Sequence, residues 1–188
     1  GESLNISEYL NLDDNNLKLH EKDVVFIMDS ENLQNIMDSK IESYLYNGGH
    51  IILFPNLNSD ASAFKNIQNV TGDISNNYDT LVKNILSDDS FQEIDAGSIQ
   101  SDEIRTLFTS GEGSNRNIKL FTYLQLPFDP EHSIMQLNDG SPIWNRYTIQ
   151  NGILDVFGFA ANLKWTNFPI KGTFLPFTNL LLYSQALN

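Results

Sequence analysis

Between Asp23 and Asn56 the chain runs strand, helix, strand with short joints, and that order leaves few folds open. Val24-Val25-Phe26-Ile27-Met28 is an unbroken apolar run rich in β-branched residues, the pattern of a strand covered on both faces. Asp29-Ser30 follows as a natural N-cap, with Glu31 at the positive end of the helix dipole. Leu33, Ile36, Met37, Ile41, Tyr44 and Leu45 then recur at spacings of three and four, which puts them on one helical face. Asn47-Gly48-Gly49 ends the helix, since glycine accepts a left-handed cap without strain. Ile51-Ile52-Leu53-Phe54 is a second buried strand, stopped by Pro55. A strand–helix–strand crossover makes parallel neighbours and is nearly always right-handed.

Past this unit the pattern predicts helices over Ala61–Val70 and Tyr78–Leu86, a strand over Phe91–Ile94 and a short helix over Asp102–Phe108. Residues 110–117 read as an exposed turn or a mobile loop. Strands follow at Lys119–Leu126, Ser133–Leu137, Pro142–Ile149 and Ile153–Phe159. The last two flank Gln150-Asn151-Gly152, whose Asn-Gly pair signals a hairpin. A final helix is expected from Thr173 to about Ala186, with Pro176 in its first turn, where a missing N–H costs little.

Composition narrows what such a chain can do. Its 188 residues suit one domain, with roughly 70% of the unfolded surface buried on folding. A net charge of −13 opposes nucleic acid and anionic lipid, both of which need clustered Lys and Arg. No cysteine is present, so disulfides, thiolate metal sites and a thiol nucleophile are excluded. No His/Glu cluster has metal spacing, so neither metal nor cofactor is expected. Asp13-Asp14-Asn15-Asn16 is rich in oxygen ligands but lacks the glycine and distal glutamate of a calcium loop, and reads as a solvated turn.

The stretch Asp23–Ile27, a helix, then Asn47-Gly48-Gly49-His50-Ile51-Ile52-Leu53-Phe54 resembles the core of class I glutamine amidotransferase-like domains. Gly140, Pro142, Gly152, Trp165, Asn167, Phe168, Pro169, Phe174 and Pro176 follow the order seen in the amidotransferase-like domain of Bat-type (aerotolerance-regulator-like) bacterial membrane proteins. The resemblance spans most of residues 17–188. It implies a single domain over 1–188 with a three-layer, flavodoxin-like α/β fold: a mostly parallel central sheet, extended by antiparallel strands from the C-terminal half. It also implies a fragment of a longer membrane-anchored protein, an extracytoplasmic location in the bacterial cell envelope and partners among envelope proteins. Active relatives carry a cysteine in a glycine-flanked elbow after the strand matching Ile51–Phe54. Here that elbow is Phe54-Pro55-Asn56-Leu57, with no thiol, hydroxyl or flanking glycine. His132, the only late histidine, sits in the turn Asp129-Pro130-Glu131-His132, where Glu131 cannot orient it. The expectation is a non-catalytic binding module.

Open α/β sheets bind ligands outside the carboxyl ends of their strands, which nominates Asp29, Ser30, Asn56 and Asn58 as a candidate crevice. Helix capping by Asp29 or Ser30 and turn closure by Asn56 is the plainer reading. The alternative is a hydrolase acting on a small carbohydrate or amide there. Trp144 and Arg146 share one face of their strand and are the candidate surface contact, which would suit a glycan-binding module; Trp144 packed under a loop is the competing reading. Trp165 is expected to anchor the core. His50, at the far end from the crevice, is expected to be half exposed and structural.

Overall fold

The computed structural model describes residues 18–28, 39–59, 64, 67, 78, 81–87, 90–109 and 117–183. Outside them lie Asp29, Ser30, the Asp13–Asn16 stretch, most of Ala61–Val70 and residues 110–116. The elements are β1 (Val24–Ile27), α1 (Ser39–Tyr46), β2 (His50–Leu53), β3 (Val82–Ile85), β4 (Gln92–Asp95), α2 (Asp102–Thr109), β5 (Lys119–Leu120), β6 (Thr122–Gln125), β7 (Ser133–Leu137), β8 (Pro142–Ile149), β9 (Gly152–Phe157) and α3 (Phe174–Tyr183).

Seven strands form one sheet in the order β1-β2-β9-β8-β7-β4-β5, and β3 pairs with β6 in a separate ribbon. β1, β2 and β9 run parallel, with Val24 opposite His50 and His50 opposite Ile153. Every other pairing in the large sheet is antiparallel. The protein is therefore mixed α/β, with a smaller parallel part than expected. The strand–helix–strand reading was sound, but the third parallel strand comes from the far end of the chain. Because β9 returns from β8 by a tight hairpin, the antiparallel strands join the sheet beside its parallel centre.

The pleat sorts the core into two layers. On one face, Phe54 stacks on Phe157, Trp144 and Phe157 meet Phe177 of α3, and Phe177 in turn meets Phe108 of α2. The opposite face carries Gly152, Leu154 and Val156, and here the Leu45 carbonyl of α1 approaches Gly152 closely. β9 is buried along its whole length. β1, by contrast, ends the sheet and leaves Phe26 and Met28 partly exposed, so it is not covered on both faces as its composition suggested.

Two local expectations are corrected. Tyr78–Leu86 was expected to be helical, but Val82–Ile85 is a strand on β6, and Lys83 donates to the Ser59 carbonyl at 2.6 Å. Long-range pairing outweighs a weak local helical pattern there. The hairpin signal was right about the turn but one residue off. The loop residues are Gln150 and Asn151, Gln150 takes the positive φ of 55°, and Gly152 begins β9 opposite Ile149. A side chain in the left-handed region costs about 1 kcal/mol or more. Gln150→Gly is accordingly expected to raise stability by about 0.5 kcal/mol, once the extra freedom of the unfolded glycine is set against that relief. An unchanged or lower Tm would show that no such strain exists.

Candidate functional site

Beyond Leu53 the chain enters Phe54-Pro55-Asn56-Leu57, the stretch expected to match a nucleophile elbow. Phe54 is 4% exposed and stacked on Phe157 with ring centres 4.4 Å apart and planes 8° from parallel. Phe159 closes edge-on against both rings. The carboxyl ends of β2 and β9 are thus filled by aromatic side chains. Asn56 Oδ1 accepts from the Asn58 N–H at 2.7 Å and from Ser59 Oγ at 3.1 Å, while Ser59 Oγ accepts from the Asn56 N–H at 2.8 Å. Asn56 therefore spends its carbonyl on closing its own turn, the plainer of its two readings. Trp165 Nε1 donates to the Leu57 carbonyl at 3.3 Å, and the Lys83 ammonium lies 4.9 Å over the Trp165 ring. Asn58 is exposed on this tied-down loop. Asp29 and Ser30 lie outside the described residues, so the crevice is seen only through its asparagine half.

The densest polar constellation lies elsewhere, within the sheet. Asp155 sits in the middle of the apolar strand β9, fully buried, opposite Ile52 on β2 and Arg146 on β8. Its Oδ1 accepts from Trp144 Nε1 at 2.7 Å and Arg146 Nε at 2.8 Å. Its Oδ2 accepts from Arg146 Nη2 and from His50 Nε2, both at 2.8 Å. Four donors saturate the carboxylate, and the Arg146 pair is bidentate. Burial by itself opposes ionisation, but the hydrogen bonds from His50 and Arg146 outweigh it and hold the Asp155 carboxyl below its ordinary range. An ionised Asp155 can only accept, so His50 carries its proton on Nε2, and Nδ1 is left with no hydrogen-bond partner among the described residues.

This constellation corrects two expectations. His50 is completely buried rather than half exposed, with its Nε2 bound to Asp155. Trp144 is also completely buried; its indole is pinned to Asp155, with the Arg146 guanidinium 5.4 Å over the ring. The stacking partner was read correctly, but Phe177 of α3 packs edge-on against the Trp144 ring, and a surface contact through Trp144 is not available. Asp155 itself went unread. The signal was in plain view: a lone acid inside Ile153-Leu154-Asp155-Val156-Phe157 must be paired if that strand is buried.

The start of β2 is held by Tyr44. Its hydroxyl donates toward the carbonyls of Lys22 and Asp23, each at 3.1 Å, and accepts from the His50 N–H at 3.3 Å. Gly49 is obligatory beneath it, because a Cβ there would lie 2.3 Å from the Tyr44 ring. Burial pushes the hydroxyl up to about 12. The folded state therefore keeps a proton that the unfolded state loses, so stability is complete below pH 10 and falls between there and about 12. Tyr44→Phe is expected to cost about 1–2 kcal/mol and to flatten that alkaline decline. Denaturation at pH 8 and 11 checks both; equal slopes in the two proteins would defeat the assignment.

On the other face Asn145 gathers a second, self-satisfied network. Its amide donates to the Pro127 carbonyl at 2.9 Å and toward the Tyr78 and Tyr147 hydroxyls, which lie 2.5 Å apart. Ser133 Oγ donates to its Oδ1 at 3.0 Å. His132 packs at a tilt against Tyr147, with ring centres 4.6 Å apart and planes 44° from parallel. Among the described residues, no group of His, Asp and Glu has the arrangement of a metal site. Trp165 is buried as expected, and Asn167 ties its segment down by accepting from the Lys119 N–H at 2.8 Å.

No protein-family profile matches the chain, and no curated protein does. Among solved structures, it is similar to the cytoplasmic protein STM3548 of Salmonella typhimurium, with a TM-score of 0.57 and 16% identity over 88% of this chain and 72% of that one. It is also similar to the cytoplasmic protein STM1381 of Salmonella typhimurium LT2, with a TM-score of 0.52 and 16% identity over 87% of this chain and 69% of that one. At such identity the likeness speaks for the fold alone. The expected extracytoplasmic envelope location is corrected: both similar structures are described as cytoplasmic proteins. Among the described residues, moreover, no helix is long and apolar enough to cross a membrane. That expectation had rested on family analogy, and fold does not carry compartment with it.

Proposed function

We propose that this domain is a non-catalytic binding module built on an amidotransferase-like α/β frame. The observation that carries the reading is the Phe54–Phe157 stack, which fills the end of the sheet where an elbow would present a nucleophile. Around it, Asn56 is spent on its own turn, and the histidines that could serve as bases are otherwise engaged. His50 is locked onto Asp155 inside the sheet, and the His132 ring packs at a tilt against Tyr147. General base catalysis needs a base within hydrogen-bond reach of a reacting group, and none of these side chains faces a shared substrate position. The partner this reading favours is a protein surface, since the charge of −13 disfavours nucleic acid.

The test is direct. The purified chain is expected to turn over neither glutamine nor a panel of simple amides and glycosides. Asn56→Ala is expected to change only stability, by about 1 kcal/mol. Turnover that Asn56→Ala abolishes would establish the hydrolase instead.

A further inference from the structure

We propose that Asn151 is a site of spontaneous deamidation, and that the fold directs the reaction there rather than to Asn47. The chain has two Asn-Gly pairs, Asn47-Gly48 and Asn151-Gly152. Asparagine before glycine is the pair in which this reaction is least hindered, because the attacking nitrogen belongs to a residue without a side chain. In the step, the Gly152 backbone nitrogen loses its proton and attacks Cγ of Asn151. The N–Cγ bond forms, the Cγ–Nδ2 bond breaks and ammonia leaves with that proton. Water then opens the five-membered imide at either carbonyl, which leaves aspartate or isoaspartate. Water is the only co-reactant, and the product carries one negative charge more than the −13 of the parent chain.

The two sites differ in what the reaction must break. The Asn47 amide donates to the Ser43 carbonyl at 2.7 Å. The Gly48 N–H donates to the Leu45 carbonyl at 3.0 Å and the Gly49 N–H to the Tyr44 carbonyl at 2.9 Å, the paired bonds that close the end of α1. Attack by the Gly48 nitrogen would undo that cap. Asn151 instead stands exposed at the hairpin tip, and its amide reaches the Tyr46 carbonyl at only 3.3 Å. Gly152 pairs with Ile149 on the last rung of the β8–β9 ladder, where fraying is easiest. The products are not neutral for the fold. Tyr46 ends α1, so its carbonyl lies at the negative end of the helix dipole. A carboxylate at position 151 exchanges a donor to that carbonyl for an acceptor that it repels. Isoaspartate also lengthens the backbone directly before Gly152, which the Leu45 and Gly49 carbonyls hem in. Both products weaken the hold of the hairpin on α1.

The experiment follows the 188-residue chain under mildly alkaline conditions, folded and in urea, by mass spectrometry of its tryptic peptides. Cleavage after Lys40, Lys65, Arg146 and Lys164 puts the two sites on separate peptides, 41–65 and 147–164, and fragmentation assigns the residue. In the folded chain Asn151 is expected to convert about tenfold or more faster than Asn47, which must wait for the helix cap to open. In urea the two rates should converge, since both asparagines precede glycine. The Tm should fall as Asn151 converts, and Asn151→Asp should reproduce the fall, by about 2–4 °C. Asn151→Gln, whose longer side chain disfavours ring closure, should keep its Tm through the same incubation. Folded-state conversion of Asn47 at the rate of Asn151 would overturn the proposal. So would an Asn151 that stays intact while the chain is folded, or a conversion that leaves the Tm unchanged. The inference stands apart from the non-catalytic reading, because none of these results bears on hydrolysis.

Discussion

Asp155→Ala is expected to cost the fold about 3–5 kcal/mol, the largest loss foreseen for a polar substitution in this protein. The deletion leaves the Arg146 guanidinium, whose side chain is only 15% exposed, without its bidentate partner, and it orphans the Trp144 and His50 N–H donors. Chemical denaturation measures the loss. If the damage is chiefly the abandoned cation, Arg146→Ala in the Asp155→Ala background should cost far less than it does alone, since neighbours in one network are not additive. Additive losses would refute the network. The pH dependence has a definite sign. The folded carboxyl titrates below its ordinary 3.8, so on acidification the unfolded state takes up the proton first. The contribution of Asp155 is complete above about that pH and drains away as the pH falls below it. Asp155→Ala should therefore show a shallower acid limb than the parent.

Gly152→Ala is expected to be nearly as damaging, at about 3 kcal/mol, for a reason unrelated to turn conformation. A Cβ there would lie 2.2 Å from the Leu45 carbonyl oxygen and 2.6 Å from that of Gly49. Both obstacles are backbone, one in α1 and one at the entry to β2, so neither can rotate away. Relief requires α1 to lift from the sheet. Gly140→Ala is the control: Gly140 has a φ of +84° but open space around its missing side chain, so only backbone strain of about 1 kcal/mol is at stake. A larger fall in Tm for Gly140→Ala than for Gly152→Ala would show that helix–strand approach does not govern the site.

These two residues also mark where the sequence could and could not be read. The hairpin around Gln150 was legible because glycine and asparagine advertise a reversal, yet the reason for Gly152 lay in a helix more than a hundred positions earlier. Asp155 is similar. An acid in an apolar strand announces that it needs a partner, but its partners, His50 and Arg146, are assigned only when β9 inserts between β2 and β8. Trp144 shows the same limit from the other side. Alternation along β8 placed it beside Arg146 correctly, but whether that face met solvent depended on α3.

The covalent order of the chain determined its local elements: β1, α1 and β2 in succession, the hairpin strands, the terminal helix and the absence of a thiol at the turn after β2. Side-chain periodicity and backbone preference act over a few residues, so they leave a trace that can be read in one dimension. Only the tertiary structure decided which strand completes the parallel set, which faces are covered and which polar groups converge. Those outcomes depend on contacts between residues far apart in sequence, such as His50 and Asp155, and their energy exists only once the chain has closed upon itself.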